Sequence, residues 1–233
     1  MQSVLNFQKK DIPLLEKYLA GFEKKENTAA AHVARAKSGK STLTLFSSGK
    51  LVIQGTGHEK AKQEVLSALS LEKELIIGID EVGRGEGSGP FVITGVLGNT
   101  NELRELRDSK KTHNISEKFV VATKNSLANV SVSFNAEFVD MLRKENINLN
   151  KMEAIAAKKM IELFRELGQN QKTIIDGEIE FVKEKNTEFL VKADDLEPVV
   201  GAASVIAKFL REQSGDKKKR ESWNTKEKNH LER

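Results

Sequence analysis

Leu75-Ile76-Ile77-Gly78-Ile79-Asp80-Glu81-Val82-Gly83-Arg84-Gly85-Glu86-Gly87-Ser88-Gly89-Pro90 is the stretch that decides the fold. Its first part is a run of Leu and Ile, the pattern of a buried strand. Asp80 and Glu81 stand near the end of that run. An ionised carboxylate is costly to bury alone, so the pair needs a cation beside it or an open strand end. A glycine-rich turn follows at once, with Arg84 inside it. Glycine lets a backbone come close to a ligand and adopt positive φ, and a guanidinium matches phosphate geometry. Carboxylates for a metal beside a cradle of phosphate size suggest cutting or transferring a phosphodiester.

Downstream of that stretch, strands and helices alternate, as in an α/β domain. Strands are expected at 75–82, 91–97, 130–134 and 172–176, with a weaker one at 188–191. Helices are expected at 101–107, 116–128, 136–145, 150–168 and 197–213. Lys217-Lys218-Lys219-Arg220 opens a polar tail, read as a frayed end or as a helix anchored by Trp223.

Upstream lies a different pattern. A helix is expected over 11–23, with Asp11 as cap, Pro13 in the first turn, and Ile12, Leu15, Leu19 and Phe22 on one face. Strands are expected at 31–37, 41–46 and 51–54. Thr56 and Glu59 have capping-box spacing, ahead of a helix whose apolar face is Ala61, Val65 and Leu69. This is a small α+β unit whose sheet can keep one face free. Lys37, Lys40 and Lys50 cluster at its turns. The short polar joint 70–74 separates a domain at 1–70 from one at 71–233.

Charge follows the same division. The 233 residues carry a net +4. Residues 1–70 hold 11 Lys/Arg against 6 Asp/Glu, and residues 71–233 hold 27 against 28. A basic unit is thus joined to a nearly neutral one, and basic surface favours polyanions. There is no cysteine, so disulfides and thiolate metal sites are excluded. No run approaches the ~20 apolar residues of a membrane span, and the first residues lack the pattern of a secretory signal. A cytoplasmic monomer is expected.

Two more segments carry chemistry. Thr173-Ile174-Ile175-Asp176-Gly177 is a second apolar strand ending in a carboxylate, and ligands in α/β sheets gather at strand ends. On the helix 197–213, Ser204, Lys208 and Glu212 recur at i, i+4, i+8 on one face. That stripe reads either as solvent-facing or as a carboxylate with a phosphate-binding lysine one turn away. Arg107-Asp108-Ser109-Lys110-Lys111 is a basic loop, either a plain turn or a phosphate contact.

GIDEVGRGEGSGP, DSKK, IIDG and AASVIAKFLRE occur here in the order and context of the type II and type III ribonucleases H, and the chain resembles that superfamily over about residues 75–213. The resemblance implies a ribonuclease H-like mixed sheet flanked by helices, and endonucleolytic cleavage of RNA in RNA–DNA hybrids to 5′-phosphate and 3′-hydroxyl ends. It implies that Asp80, Glu81, Asp176 and Glu212 are the metal-binding catalytic carboxylates. It implies that Gly83, Arg84 and Gly85 form the turn that senses ribose 2′-hydroxyls; Lys111, Ser204 and Lys208 are further candidate substrate-binding residues.

Residues 1–70 resemble the TATA-binding-protein-like substrate domain of type III enzymes through AKSGK and SSGKLVIQG, which makes Lys37 and Lys50 candidate contacts. The sole tyrosine is Tyr18, so the late junction-reading tyrosine of type II enzymes is missing. Glu212 in place of Asp also suits type III, whereas Arg84 stands where type III enzymes commonly have Lys. Oxygen ligands without His or Cys point to Mg²⁺ or Mn²⁺. A non-catalytic hybrid-binding module and a small-molecule phosphohydrolase are the competing readings.

Overall fold

The computed structural model describes residues 2–7, 9–26, 29–69, 74–104, 106, 114–177 and 184–223. The chain divides into two compact units, Met1–Glu74 and Leu75–Arg233.

The first unit is a five-stranded antiparallel sheet backed by two helices. Its strands are β1 (Gln2–Asn6), β2 (Glu23–Lys24), β3 (His32–Ser38), β4 (Ser41–Phe46) and β5 (Lys50–Gly55), in the order β1-β5-β4-β3-β2. The helices are α1 (Ile12–Leu19) and α2 (His58–Ala68). Alternate residues Leu43, Leu45, Leu51 and Ile53 point to one face and are buried against Leu15, Leu19 and Val65 of the helices. Each such side chain contributes roughly 1.5–3 kcal/mol. The intervening residues, among them Arg35, Lys37, Thr42, Lys50, Val52 and Gln54, occupy the other face.

β1 and β2 are absent from the sequence expectation. β2 has only two residues, and in β1 the inward positions are Ser3 and Leu5, too few apolar residues to show an alternation. Ser3 is buried because its hydroxyl meets His58 Nδ1 and Glu59 Oε1, each at 2.7 Å. That contact also replaces the expected capping box: α2 starts after Gly57, with no side-chain cap.

The second unit is a mixed sheet in the order β10-β9-β6-β7-β8. Its strands are β6 (Leu75–Val82), β7 (Phe91–Asn99), β8 (Ser126–Phe134), β9 (Thr173–Asp176) and β10 (Thr187–Leu190). β6–β7 and β7–β8 are antiparallel, while β6–β9 and β9–β10 are parallel. The helices are α3 (Ile115–Asn125), α4 (Ala136–Lys144), α5 (Leu149–Glu166), α6 (Ala193–Leu196) and α7 (Pro198–Gln213).

Ile77, Ile79, Ile93 and Ile175 pack on one face with Met152, Ala156 and Met160 of α5. Ile76, Val96 and Ile174 pack on the other with Val199, Val200 and Ala203 of α7. Burial on both faces accounts for the unbroken apolar runs of β6 and β7. Asn114, Asn135 and Asn148 cap α3, α4 and α5 by accepting the N–H of Glu117, Phe138 and Lys151, a device worth about 1 kcal/mol each.

Several boundaries differ from the sequence expectation. The helix expected over 11–23 ends at Leu19, and Glu23 already belongs to β2. Residues 101–104 form turns rather than a helix. The helix expected to 128 ends at Asn125, because Ser126-Leu127-Ala128-Asn129-Val130 alternates with period two and joins the edge strand β8. The basic loop with Lys111 lies outside the described residues. No described helix is long and apolar enough to cross a membrane.

Candidate active site

The parallel pairing of β6 with β9 builds the site. Ile79 pairs with Ile175, so the next residues, Asp80 and Asp176, end neighbouring strands, and such strands lie about 4.8 Å apart. Both follow the alternation of Ile76 and Ile174 and so face α7. Asp80 is 5% exposed. Its Oδ1 accepts the N–H of Glu81 at 2.8 Å, and the Ser204 hydroxyl of α7 donates to its carboxylate. Lys208 Nζ in turn donates to Ser204 Oγ at 3.0 Å. A lysine, a serine and an aspartate are thereby linked in line.

This close packing depends on Gly78, two residues before Asp80. A β-carbon there would stand 2.6 Å from Val199 C and Val200 N. With none, the first turn of α7 rests on the strand, which brings Ser204 to Asp80.

α6 supplies a carboxylate the sequence analysis missed. Asp194 is buried, and it stands near enough to Asp80 to disfavour ionisation there. The N–H of Ala193, beside it, donates to Asp176 Oδ1 at 2.6 Å. Burial pushes the Asp80 carboxyl well above its usual range; Glu81 and then Asp176 add repulsion, the Ser204 hydroxyl opposes it, and Asp194 adds more. Four carboxylates thus surround one strand end.

Glu212 is not one of them. It is exposed near the end of α7, eight residues beyond Ser204, and eight residues of helix span about 12 Å. The i, i+4, i+8 stripe exists, but only its Ser204 and Lys208 end meets the cluster. The carboxylate that meets Asp80 from the side of α7 is Asp194 rather than Glu212. The available signal was the Asp194-Asp195 doublet ahead of the helix.

Glu81 faces the opposite side of β6. Arg84 Nε donates to Glu81 Oε1 at 3.0 Å, and the same guanidinium contacts Asn150 and buried Glu153 of α5 and lies 5.9 Å from the centre of the Phe91 ring. The Arg84 guanidinium is therefore engaged with the protein. As they stand, no three His, Cys, Asp or Glu side chains among the described residues enclose an ion. Glu81 is turned to Arg84 and Asp176 to Ala193, so rotation of these side chains would be needed. The donor set itself suits a hard divalent cation: oxygen only, mutually repelling, partly desolvated.

The glycine-rich turn is held by the segment read as a frayed tail. Gly83 has φ +93°, and a β-carbon there would stand 2.5 Å from Pro90 O. Arg220 is 3% exposed; it donates to Gly83 O at 2.7 Å and to Gly89 O at 2.9 Å. Arg211 of α7 donates to Pro90 O and Ser88 O. Backbone bonds run from Gly89 N to Lys218 O and from Arg220 N to Gly87 O, both 2.9 Å. Asp140 of α4 anchors the far end by accepting from Glu221 N and Ser222 N at 2.7 and 3.0 Å.

In the first unit, Lys37 and Lys50 share a sheet face but do not cluster. Lys37 pairs with Thr42, which pairs with Gln54, and Lys50 is four residues from Gln54, about 13 Å along the strand.

Comparison with known proteins follows the same division into two units. A domain of unknown function, DUF3378, matches residues 2–74. Ribonuclease HII of Methanococcus maripaludis (strain C5) is 32% identical over 174 residues, covering 66% of this chain and 72% of that protein. Ribonuclease HII of Methanothermobacter thermautotrophicus is 33% identical over 160 residues, covering 59% and 73%. Bst-RNase HIII, solved in complex with Mn²⁺, superposes with a TM-score of 0.57 at 19% identity, over 91% of this chain and 81% of that one. Aquifex aeolicus RNase H3 gives 0.53 at 24%, over 91% and 84%. Both share the fold, small unit included. The Ribonuclease HII family matches residues 77–230, a span that takes in both strand ends, α6, α7 and the segment behind the turn, and so this chain belongs to the ribonuclease HII family.

Proposed function

We propose that this protein is an endoribonuclease that cuts the RNA strand of RNA–DNA hybrids, with Asp80, Glu81, Asp176 and Asp194 as its acidic centre. The observation that carries the reading is the burial of Asp80 at a strand end beside three other carboxylates, within the segment matched by the family. A divalent cation, Mg²⁺ or Mn²⁺, held by these carboxylates would offset their charge and polarise the scissile phosphate. Ser204 orients Asp80, and Lys208 extends the positive end of that chain toward a phosphate. Gly83 to Gly85 offer backbone groups for a ribose 2′-hydroxyl, the mark that separates RNA from DNA. No base is read, so cutting is sequence-tolerant. The products carry 5′-phosphate and 3′-hydroxyl ends.

The two-unit architecture, shared with Bst-RNase HIII and Aquifex aeolicus RNase H3, supports type III behaviour, in which continuous hybrid is preferred to a lone ribonucleotide in DNA. The open sheet face of the first unit, with Arg35, Lys37 and Lys50, is its hybrid-binding surface. The test is digestion of labelled RNA–DNA hybrid, and of a duplex with one ribonucleotide, with and without Mg²⁺. Asp80→Asn should abolish cutting and leave hybrid binding intact; near-normal turnover by that variant defeats the assignment. Efficient cutting at the lone ribonucleotide would move the protein to type II behaviour.

A further inference from the structure

We infer that Arg220 is a positioning residue for the substrate turn, acting through the carbonyls of Gly83 and Gly89 rather than by touching substrate. The inference rests on the reading of Gly83–Gly85 as the hybrid-sensing turn. Gly83 and Gly89 mark the two ends of the turn, and one guanidinium bonds both, at 2.7 and 2.9 Å. A single rigid, planar group therefore ties the two ends together, beside the bonds from Arg211 to Ser88 O and Pro90 O. Arg220 itself cannot drift. Its own N–H is bonded to Gly87 O, and Lys218 O accepts from Gly89 N. Beyond it, Asp140 holds Glu221 and Ser222.

The side chain is buried, so a substrate laid along the turn does not meet it. The carbonyls of Gly83 and Gly89 point back into the protein to reach Arg220, and Arg84 is engaged by Glu81, Asn150 and Glu153. With these groups committed inward, the outward backbone groups of the turn keep one orientation. The charged donor matters because a neutral residue at 220 would leave two buried carbonyls without a hydrogen bond.

A positioning role of this kind changes how well the hybrid is held and leaves the acidic centre alone. Steady-state cutting of hybrid by the full chain tests it, with Arg220→Ala, Arg220→Lys and Lys219→Ala compared with wild type. Arg220→Ala should raise KM about 10-fold, the size expected when a supporting contact is lost, with kcat within about threefold. Arg220→Lys keeps the charge but cannot fork to both carbonyls, and its KM should fall between the two. Lys219→Ala, exposed on the same segment, should match wild type.

If Arg220→Ala does not fold, as judged by circular dichroism, Arg220→Lys decides alone. Unchanged KM in the folded Arg220 variants, or a fall in kcat at unchanged KM, overturns the inference. Asp80→Asn is assayed alongside. If it still cuts, the active-site reading itself fails; if it is dead while the Arg220 variants keep wild-type KM, only the role of Arg220 fails.

Discussion

Gly78 of β6 and Val199 of α7 meet backbone to backbone: a β-carbon on Gly78 would lie 2.6 Å from Val199 C and 2.8 Å from Val199 O. The contact fixes how closely α7 approaches the strand that carries Asp80. Gly78→Ala should destabilise the protein by about 1–3 kcal/mol, the usual cost of overpacking, because the obstructing atoms are backbone and cannot rotate away. Urea unfolding measures the loss. Displacement of Ser204 from Asp80 should also slow hybrid cutting in the folded variant.

Asp194 and Glu212 make opposite predictions. Asp194→Asn removes a carboxylate from the buried cluster and should lower cutting at least about 100-fold, no less than loss of an outer-shell partner at a metal site. Glu212→Gln alters an exposed residue two turns away and should leave the rate within about threefold. Cleavage of labelled hybrid at saturating Mg²⁺ distinguishes them. A dead Glu212→Gln beside an active Asp194→Asn would restore the sequence-based choice.

Lys37 and Lys50 are expected to meet phosphates at separate points of the sheet. Each phosphate contact adds roughly 0.9 to the slope of log K against log salt on a B-form duplex. The double variant Lys37→Ala/Lys50→Ala should bind hybrid more weakly and show a shallower slope, by up to about 1.8. Fluorescence anisotropy over a salt series reads this directly, and an unchanged slope would remove that face from the binding surface.

Asp140 ties the segment after α7 to acid stability. Burial raises its carboxyl pKa, but hydrogen bonds from Ser222 and Glu221, with Lys144 nearby, outweigh it and hold the carboxyl below its usual range. A lowered folded value means the stabilisation is present at neutral pH, above the unfolded value, and is lost as pH falls through the folded value. Trp223, the sole tryptophan, lies on Gly87, where a β-carbon would be 2.7 Å from its Cδ1. Its emission should shift to longer wavelength in acid, below the ordinary carboxylate range, and Asp140→Ala should show that shift already at pH 7.

Much of this molecule is legible in the residue pattern, and each exception has its own physical reason. Apolar runs and their terminal carboxylates identified β6 and β9, because burial on both faces leaves an unbroken signal at Ile76–Ile79 and Ile174–Ile175. Helical period placed Ser204, Lys208 and Glu212 on one stripe. It carries no information on which end of the stripe meets the strand; the resemblance points to Glu212, and nothing in the residue pattern singles out Asp194. Asp194 sits on α6, too short to show a period. The segment after α7 was missed because it is held by backbone bonds and Arg220 rather than by apolar side chains, and Lys217-Lys218-Lys219 reads as solvated. β1 is five residues long with Ser3 beside Leu5 on its inward face, too short and mixed to show an apolar alternation.

Arg220 and Gly83 are 137 residues apart in the chain. A polypeptide still emerging from the ribosome would expose its small domain first, then every acidic residue of the centre, and only afterwards the arginine that closes the turn. Domains tend to fold in that order of appearance. The turn proposed to sense the ribose therefore gains its brace only once Arg220 has been synthesised, well after the acidic residues of the centre.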